Sequence, residues 1–243
     1  MLFCAVISHV LAFVLIIALP VWDRFETRRL KTSRNPRVKI QSYQMTIAWL
    51  WICAIIAVAA FGLKTLWTIH PTTTEVPWLP SGSGGYVYGG ALAAAFLAAT
   101  LIPVLASWVS PKIRDGFAKQ LAPLSFFLPT TGDERLWFAM VSISAGVCEE
   151  VLFRGFLIRY FQAGPYHLAM VFAALLACLF FGTAHLYQGI VGVVQTTFMG
   201  VAFAAMFFAT GSLILPVLAH VAIDLRVLLI LRKAPGCALQ QDC

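Results

Sequence analysis

Polar and apolar positions along this chain fall into long blocks. Apolar runs cover residues 1–22, 45–69, 86–109, 135–158, 166–185, 189–210 and 212–231, with polar or basic segments between them. Each run is on the order of 20 residues, the length an α-helix needs to cross the hydrocarbon core of a bilayer. A transmembrane barrel would alternate apolar and polar residues along its strands. These runs are apolar throughout, and in lipid a helix satisfies its own backbone hydrogen bonds whereas an open sheet edge cannot. The pattern predicts an all-α, polytopic transmembrane bundle of about seven spans, with the lipid bilayer as its solvent.

Composition agrees. The 243 residues are 60% hydrophobic and only 11% charged, with a mean hydropathy of +0.87; soluble domains carry about a quarter charged residues. The net charge of +7 would suit nucleic acid, but its placement does not. Arg24, Arg28, Arg29, Lys31, Arg34, Arg37 and Lys39 fill the first inter-run segment, Lys112, Arg114 and Lys119 another, and Arg232 and Lys233 follow the last run. That is the distribution of cytoplasmic loops under the positive-inside rule, and no nucleic-acid partner is expected. The first run has no basic leader and no small-residue cleavage site, so a retained anchor with its N-terminus outside is expected. The segment 70–85, rich in Thr, Pro, Ser and Gly, reads as an extracytoplasmic loop. Residues 111–134 mix basic, apolar and proline positions, which suits a short interfacial helix. The expected division is residues 1–134 as N-terminal spans and loops, 135–231 as the chemistry-bearing half, and 232–243 as a tail. Cys4, Cys53, Cys148, Cys178, Cys237 and Cys243 show neither metal-ligand spacing nor a disulfide framework.

Ionisable groups inside a membrane are costly unless paired or hydrated, and so mark functional positions. Those singled out in the runs of the second half are Glu149, Glu150, Arg154, His185, His220 and Asp224. Glu150 and Arg154 stand at i and i+4 with the acid first, the better order for an ion pair. Neighbouring helical residues point about 100° apart, so Glu149 is expected to face elsewhere and to be free as a general base. His220 and Asp224 again share a face at i and i+4. A carboxylate there can fix an imidazole tautomer, for catalysis or for metal binding, or simply staple two spans together. His185, ending the run Phe180-Phe181-Gly182-Thr183-Ala184-His185, gains weight from this company; His9 and His167 do not. Lys64, near an outer span end, is explained by snorkelling, and nothing activates Cys148 as a nucleophile.

A glutamate base, two histidines and a further acid can hydrolyse an amide, the base deprotonating water while polar groups stabilise the oxyanion. The same groups can hold zinc with an open position for water. HExxH is absent, so a metal site would be assembled from several helices. Acid and imidazole relays also mark ion-coupled transporters, although these tend to show repeated halves. A membrane protein that binds a partner without cutting it is the remaining alternative.

Glu149-Glu150-x-x-x-Arg154, Phe181-x-x-x-His185 and His220-x-x-x-Asp224, in this order on successive runs, resemble the CPBP family, which includes type II CAAX prenyl endopeptidases and bacterial bacteriocin-processing or self-immunity (Abi) proteins. Phe153-Arg154-Gly155, Gly182-Thr183-Ala184-His185 and Gly211-Ser212-Leu213 also look like its surroundings, and the similarity covers roughly residues 135–231. The resemblance implies proteolysis of a peptide or membrane-protein substrate within a membrane, here expected to be a bacterial plasma membrane. It implies Glu149 and His185 activating water, His220 and Asp224 stabilising the oxyanion, and Glu150 with Arg154 supporting the site. Asp224 stands where many members carry Asn, and an ionised Asp cannot donate to an oxyanion. Both metal-dependent and metal-free schemes fit such a family. Depth poses a geometric demand: Glu149 lies about 13 Å from the outer end of its run at 1.5 Å per residue, whereas His185 ends the next run at the opposite side. Either that helix begins later and extends past Leu186, or a helix breaks near Gly155 or Gly164-Pro165.

Overall fold

The structure is a computed structural model that describes residues 2–33, 35, 37–80, 82–163 and 166–231. Arg34, Gly164, Pro165, Arg232, Lys233 and the tail with Cys237 and Cys243 lie outside the described residues, as does the side chain of Cys4. Among the described residues the regular elements are helices. Six are long and apolar enough to span a membrane, and a seventh apolar helix is shorter.

The first run forms α1 (Leu2–Phe13), a π turn (Val14–Ala18) and α2 (Leu19–Thr32). The helix thus carries its basic residues out of the apolar region on a continuous extension. α3 (Val38–Phe61) stops earlier than expected because Gly62 takes φ 82°, a conformation other residues avoid. Lys64 therefore lies in the short α4 (Leu63–Trp67), exposed, rather than inside a span. α5 (Gly82–Ala106) follows, and then α6 (Pro111–Leu121), the expected amphipathic segment with Lys119 in its last turn.

α7 (Gly132–Glu149) begins with Thr131, whose side chain accepts from the Glu134 backbone N–H, and with Asp133 and Glu134 in its first turn. Both features favour a helix start. It continues without a break through a π-helical segment, Glu150–Leu157, into α8 (Ile158–Ala163), giving one 32-residue candidate span, Gly132–Ala163. α9 (Met170–Ala184) has 15 residues. A 3-10 turn (Leu186–Gln188), α10 (Gly189–Thr210) and α11 (Ile214–Leu231) complete the bundle. The depth demand is met without a break at Gly155. The fourth helix runs on to Ala163 and α9 starts only at Met170. Glu149 and His185 are then each about 20 Å from the hairpin tip at 1.5 Å per residue.

α7 packs against α3 and α11, and α10 against α9 and α5. Gly146 makes the α7–α11 contact possible: a Cβ there would come within 3.0 Å of the Val221 backbone N. Every residue of Glu150–Leu157 is buried, wrapped by Leu66, Phe181, Phe207 and Leu213. A strap of chain seals the end of the bundle opposite the basic loops. A Cβ on Gly155 would strike the Leu66 carbonyl oxygen. Ile69 N–H donates to Gly211 O at 3.0 Å, Leu213 N–H donates to Trp67 O at 3.1 Å, and Arg159 bridges the Gly155 and Thr68 carbonyls. Ile55, Phe172, Leu175, Leu179 and Phe198 remain exposed on the bundle's flanks, as lipid-facing side chains must.

Candidate active site

The end of α7 and the π segment deliver Glu149, Glu150 and Arg154, α9 delivers His185, and α11 delivers His220 and Asp224. At the centre lies Glu150 Oε1, which accepts from Arg154 Nη1 at 2.9 Å and pairs with His220 Nδ1 at 2.8 Å. Both members of the acid–guanidinium pair are essentially inaccessible, with side chains 0% and 1% exposed. The Arg154 guanidinium also sits 4.2 Å above the Phe181 ring and 5.3 Å from that of Phe203, where ring quadrupoles add to its counter-charge. Gly200 leaves room for it, since a Cβ there would lie 3.1 Å from Arg154 Nη2.

His220 differs from the expectation drawn from spacing. Its partner at hydrogen-bond distance is Glu150, and Asp224 Oδ2 stands back at 3.7 Å from Nε2. Glu149 Oε2 is also 3.7 Å from Nε2. The two adjacent glutamates, expected to face apart, thus meet opposite edges of a single ring. Their side chains do diverge, but the imidazole nitrogens also point apart and span the gap. Because Glu150 accepts from Arg154 it is a carboxylate, so His220 Nδ1 carries the proton of the 2.8 Å bond. The ring is held in place by stacking on Phe203, with centroids 5.2 Å apart and planes inclined by 22°.

His185 caps the C-terminus of α9. Its Nδ1 lies 2.8 Å from Phe181 O, and a carbonyl only accepts, so Nδ1 is the protonated nitrogen. In the neutral ring Nε2 is then an acceptor. Phe181 touches both imidazoles, at centroid distances of 4.8 Å to His185 and 5.8 Å to His220, and so spaces them.

Glu149 and His185 line two cavities that meet at them, one of about 440 Å³ and one of about 130 Å³. Thr46, Phe127 and Tyr187 complete the shared wall. His220 and Asp224 face the larger cavity alone. Both cavities are bordered by segments at the basic end of the bundle, including Glu26, Leu30 and Phe126 for the smaller and Lys119, Leu121 and Gln188 for the larger. Glu149 Oε2, Glu150 Oε2, Arg154 Nε and Arg154 Nη2 are buried without a protein hydrogen-bond partner. Of these residues only Glu149 lines a cavity, so its free oxygen marks a place for water there, whereas the Glu150 and Arg154 atoms are sealed from solvent. Sequence reasoning missed Thr46, Phe127, Tyr187 and Phe203; aromatic and hydroxyl residues in apolar runs carry no periodic signal separating a site wall from ordinary core.

Zinc does not fit the donors as they stand. Among the described residues no group of three His, Cys, Asp or Glu side chains is arranged to hold a metal ion.

Together these features define a polytopic helical membrane protein with a sheltered acid–imidazole site reached from its basic end. Residues 131–226 match the profile of the family described as type II CAAX prenyl endopeptidase, Rce1-like. That segment, less than half of the chain, is similar to this family and carries all six candidate residues. The family is one of membrane endopeptidases of CAAX type, and the match supports the resemblance to the CPBP group. No curated protein and no solved structure matches this chain.

Proposed function

We propose that this protein hydrolyses a peptide bond of a peptide or membrane-protein substrate, with Glu149 as the general base on water. The observation that carries the proposal is the position of Glu149. Its carboxylate lies where both cavities meet, with Oε2 free of protein hydrogen bonds and 3.7 Å from His220 Nε2.

Water held between Glu149 and the acceptor Nε2 of His185 gives one proton to Glu149 as its oxygen bonds to the scissile carbonyl carbon. The carbonyl π electrons move to oxygen, forming a tetrahedral oxyanion. Glu149 then returns the proton to the amide nitrogen as the C–N bond breaks, leaving a carboxylic acid and an amine and regenerating the base. His220 Nε2 faces the reacting space, and as imidazolium it donates to the oxyanion. Glu149, Glu150 and Asp224 stand around it as counter-charge. Asp224, too far from Nε2 for a hydrogen bond, acts on charge rather than as a donor. Glu150 and Arg154 position His220 and touch no substrate. No step passes through a metal.

Cleavage of a peptide library by purified protein in detergent tests this reading. Glu149→Gln keeps the shape but cannot take a proton, and should lower the rate about 100-fold or more with expression and melting unchanged. His185→Ala and His220→Ala should also be slow. Equal cutting by wild type and all three variants would refute it.

A further inference from the structure

The two cavities meeting at Glu149 differ in charge, and besides His220 and Asp224 they differ in groups that the hydrolytic step does not use. Asp23 and Glu26 of α2 border the smaller cavity; Arg226 of α11 and Lys119 of α6 border the larger. Glu26 is engaged by Arg29 at 3.0 Å. Asp23 has neither an ion pair nor a hydrogen bond among the described residues, and the same holds for Arg226. Asp224 lines the same cavity and acts on Arg226 through space, but no hydrogen bond or ion pair joins the two, so the guanidinium donors stay open to a ligand. A guanidinium within a membrane-spanning helix, unbonded and facing a cavity with apolar walls, favours an incoming carboxylate, which it can bind through paired N–H donors. Asp23, across the junction, favours a cation.

We infer that Arg226 receives a substrate carboxylate in the larger cavity while Asp23 faces the substrate's cationic side, so that the paired clefts fix the direction in which a peptide crosses Glu149. This rests on the peptide hydrolysis proposed above. The carboxylate is either a side chain or the α-carboxylate of a chain terminus, since both present the same two oxygens to the guanidinium. Lys119, exposed at the larger cavity's rim, adds attraction at entry rather than a fixed contact.

Four synthetic peptides of one core sequence test it in detergent: one uncharged with an amidated end, one with Lys and Glu on opposite sides of the scissile bond, one with these exchanged, and one uncharged with a free C-terminal carboxylate. Wild type should prefer one charge direction by about tenfold or more, the scale of a charge-assisted hydrogen bond. Arg226→Glu should reduce or invert that preference on the carboxylate side, and Asp23→Lys on the other; Arg226→Gln should erase rather than invert it. Preference for the free C-terminus over its amidated form identifies the α-carboxylate as the group bound; preference for the Glu-bearing peptide identifies the side chain. Preferences are ratios within one preparation, so partial misfolding lowers both rates and leaves the ratio intact. Wild type that cuts the uncharged peptide but ignores charge direction overturns this inference alone, as does an unchanged ratio in Arg226→Glu. Wild type that cuts none of the four fails the hydrolytic reading itself.

Discussion

The Glu150–Arg154 pair offers the sharpest test of how the site is held together. Replacing Arg154 by Met keeps most of the side-chain volume but removes the guanidinium, leaving Glu150, wholly inaccessible, with His220 Nδ1–H as its remaining hydrogen-bond donor. Removing one partner of a buried pair costs about 3–5 kcal/mol, because the other charge stays buried without its counter-ion. Loss of the contact with the Phe181 ring at 4.2 Å adds roughly 0.5–2 kcal/mol. Against a typical total stability of about 5–15 kcal/mol, this is a large fraction. Reversible unfolding in mixed micelles, followed by tryptophan fluorescence, measures it. The companion variant Glu150→Leu/Arg154→Met removes both charges and should lie within about 2 kcal/mol of wild type, although His220 then loses its Nδ1 acceptor and activity should stay low. A double-mutant cycle should therefore show a coupling of about 3 kcal/mol or more. Arg154→Met costing less than about 1 kcal/mol, or strictly additive losses, would show that the pair is hydrated rather than sealed, and the account of the site's centre would fall.

Gly146→Val should destabilise by about 1–3 kcal/mol through overpacking and slow cleavage, because its Cβ meets Val221 and pushes α11, with His220, away from Glu149. Gly116→Ala, on α6 with nothing within 4 Å of the new Cβ, is the control and should leave melting and rate unchanged; equal effects from both would discount the close approach. Incubation with a strong zinc chelator should leave the cleavage rate as it was, and a loss restored by added zinc would show that the donors rearrange into a metal site.

Much of this was legible in the chain. Runs of apolar residues gave the helices, since only length and continuity matter for crossing lipid. The i, i+4 spacing of Glu150 and Arg154 gave an ion pair that survives the wider turn it sits in. Helix ends were less legible. Gly62 ends α3 through its own backbone conformation, and the fourth helix runs past its apolar edge to Ala163 because its last turns pack within the protein. The His220–Glu150 bond was not legible at all. Spacing along one helix offered Asp224, but a bond between residues 70 positions apart depends on how two helices approach, which a glycine at 146 decides and no periodicity announces. The walls contributed by α2, α3 and the segment around Phe127 were hidden for the same reason.

The strap from α4 to Gly211, bonded across the tops of the π segment and α11, closes that end of the bundle. Its residues border neither cavity at Glu149, and its carbonyls are occupied by Arg159 and by Leu213. In an endopeptidase built this way neither fragment departs through the strapped end. Exit and entry then divide the openings that remain, and fragments that accumulate there compete with fresh substrate.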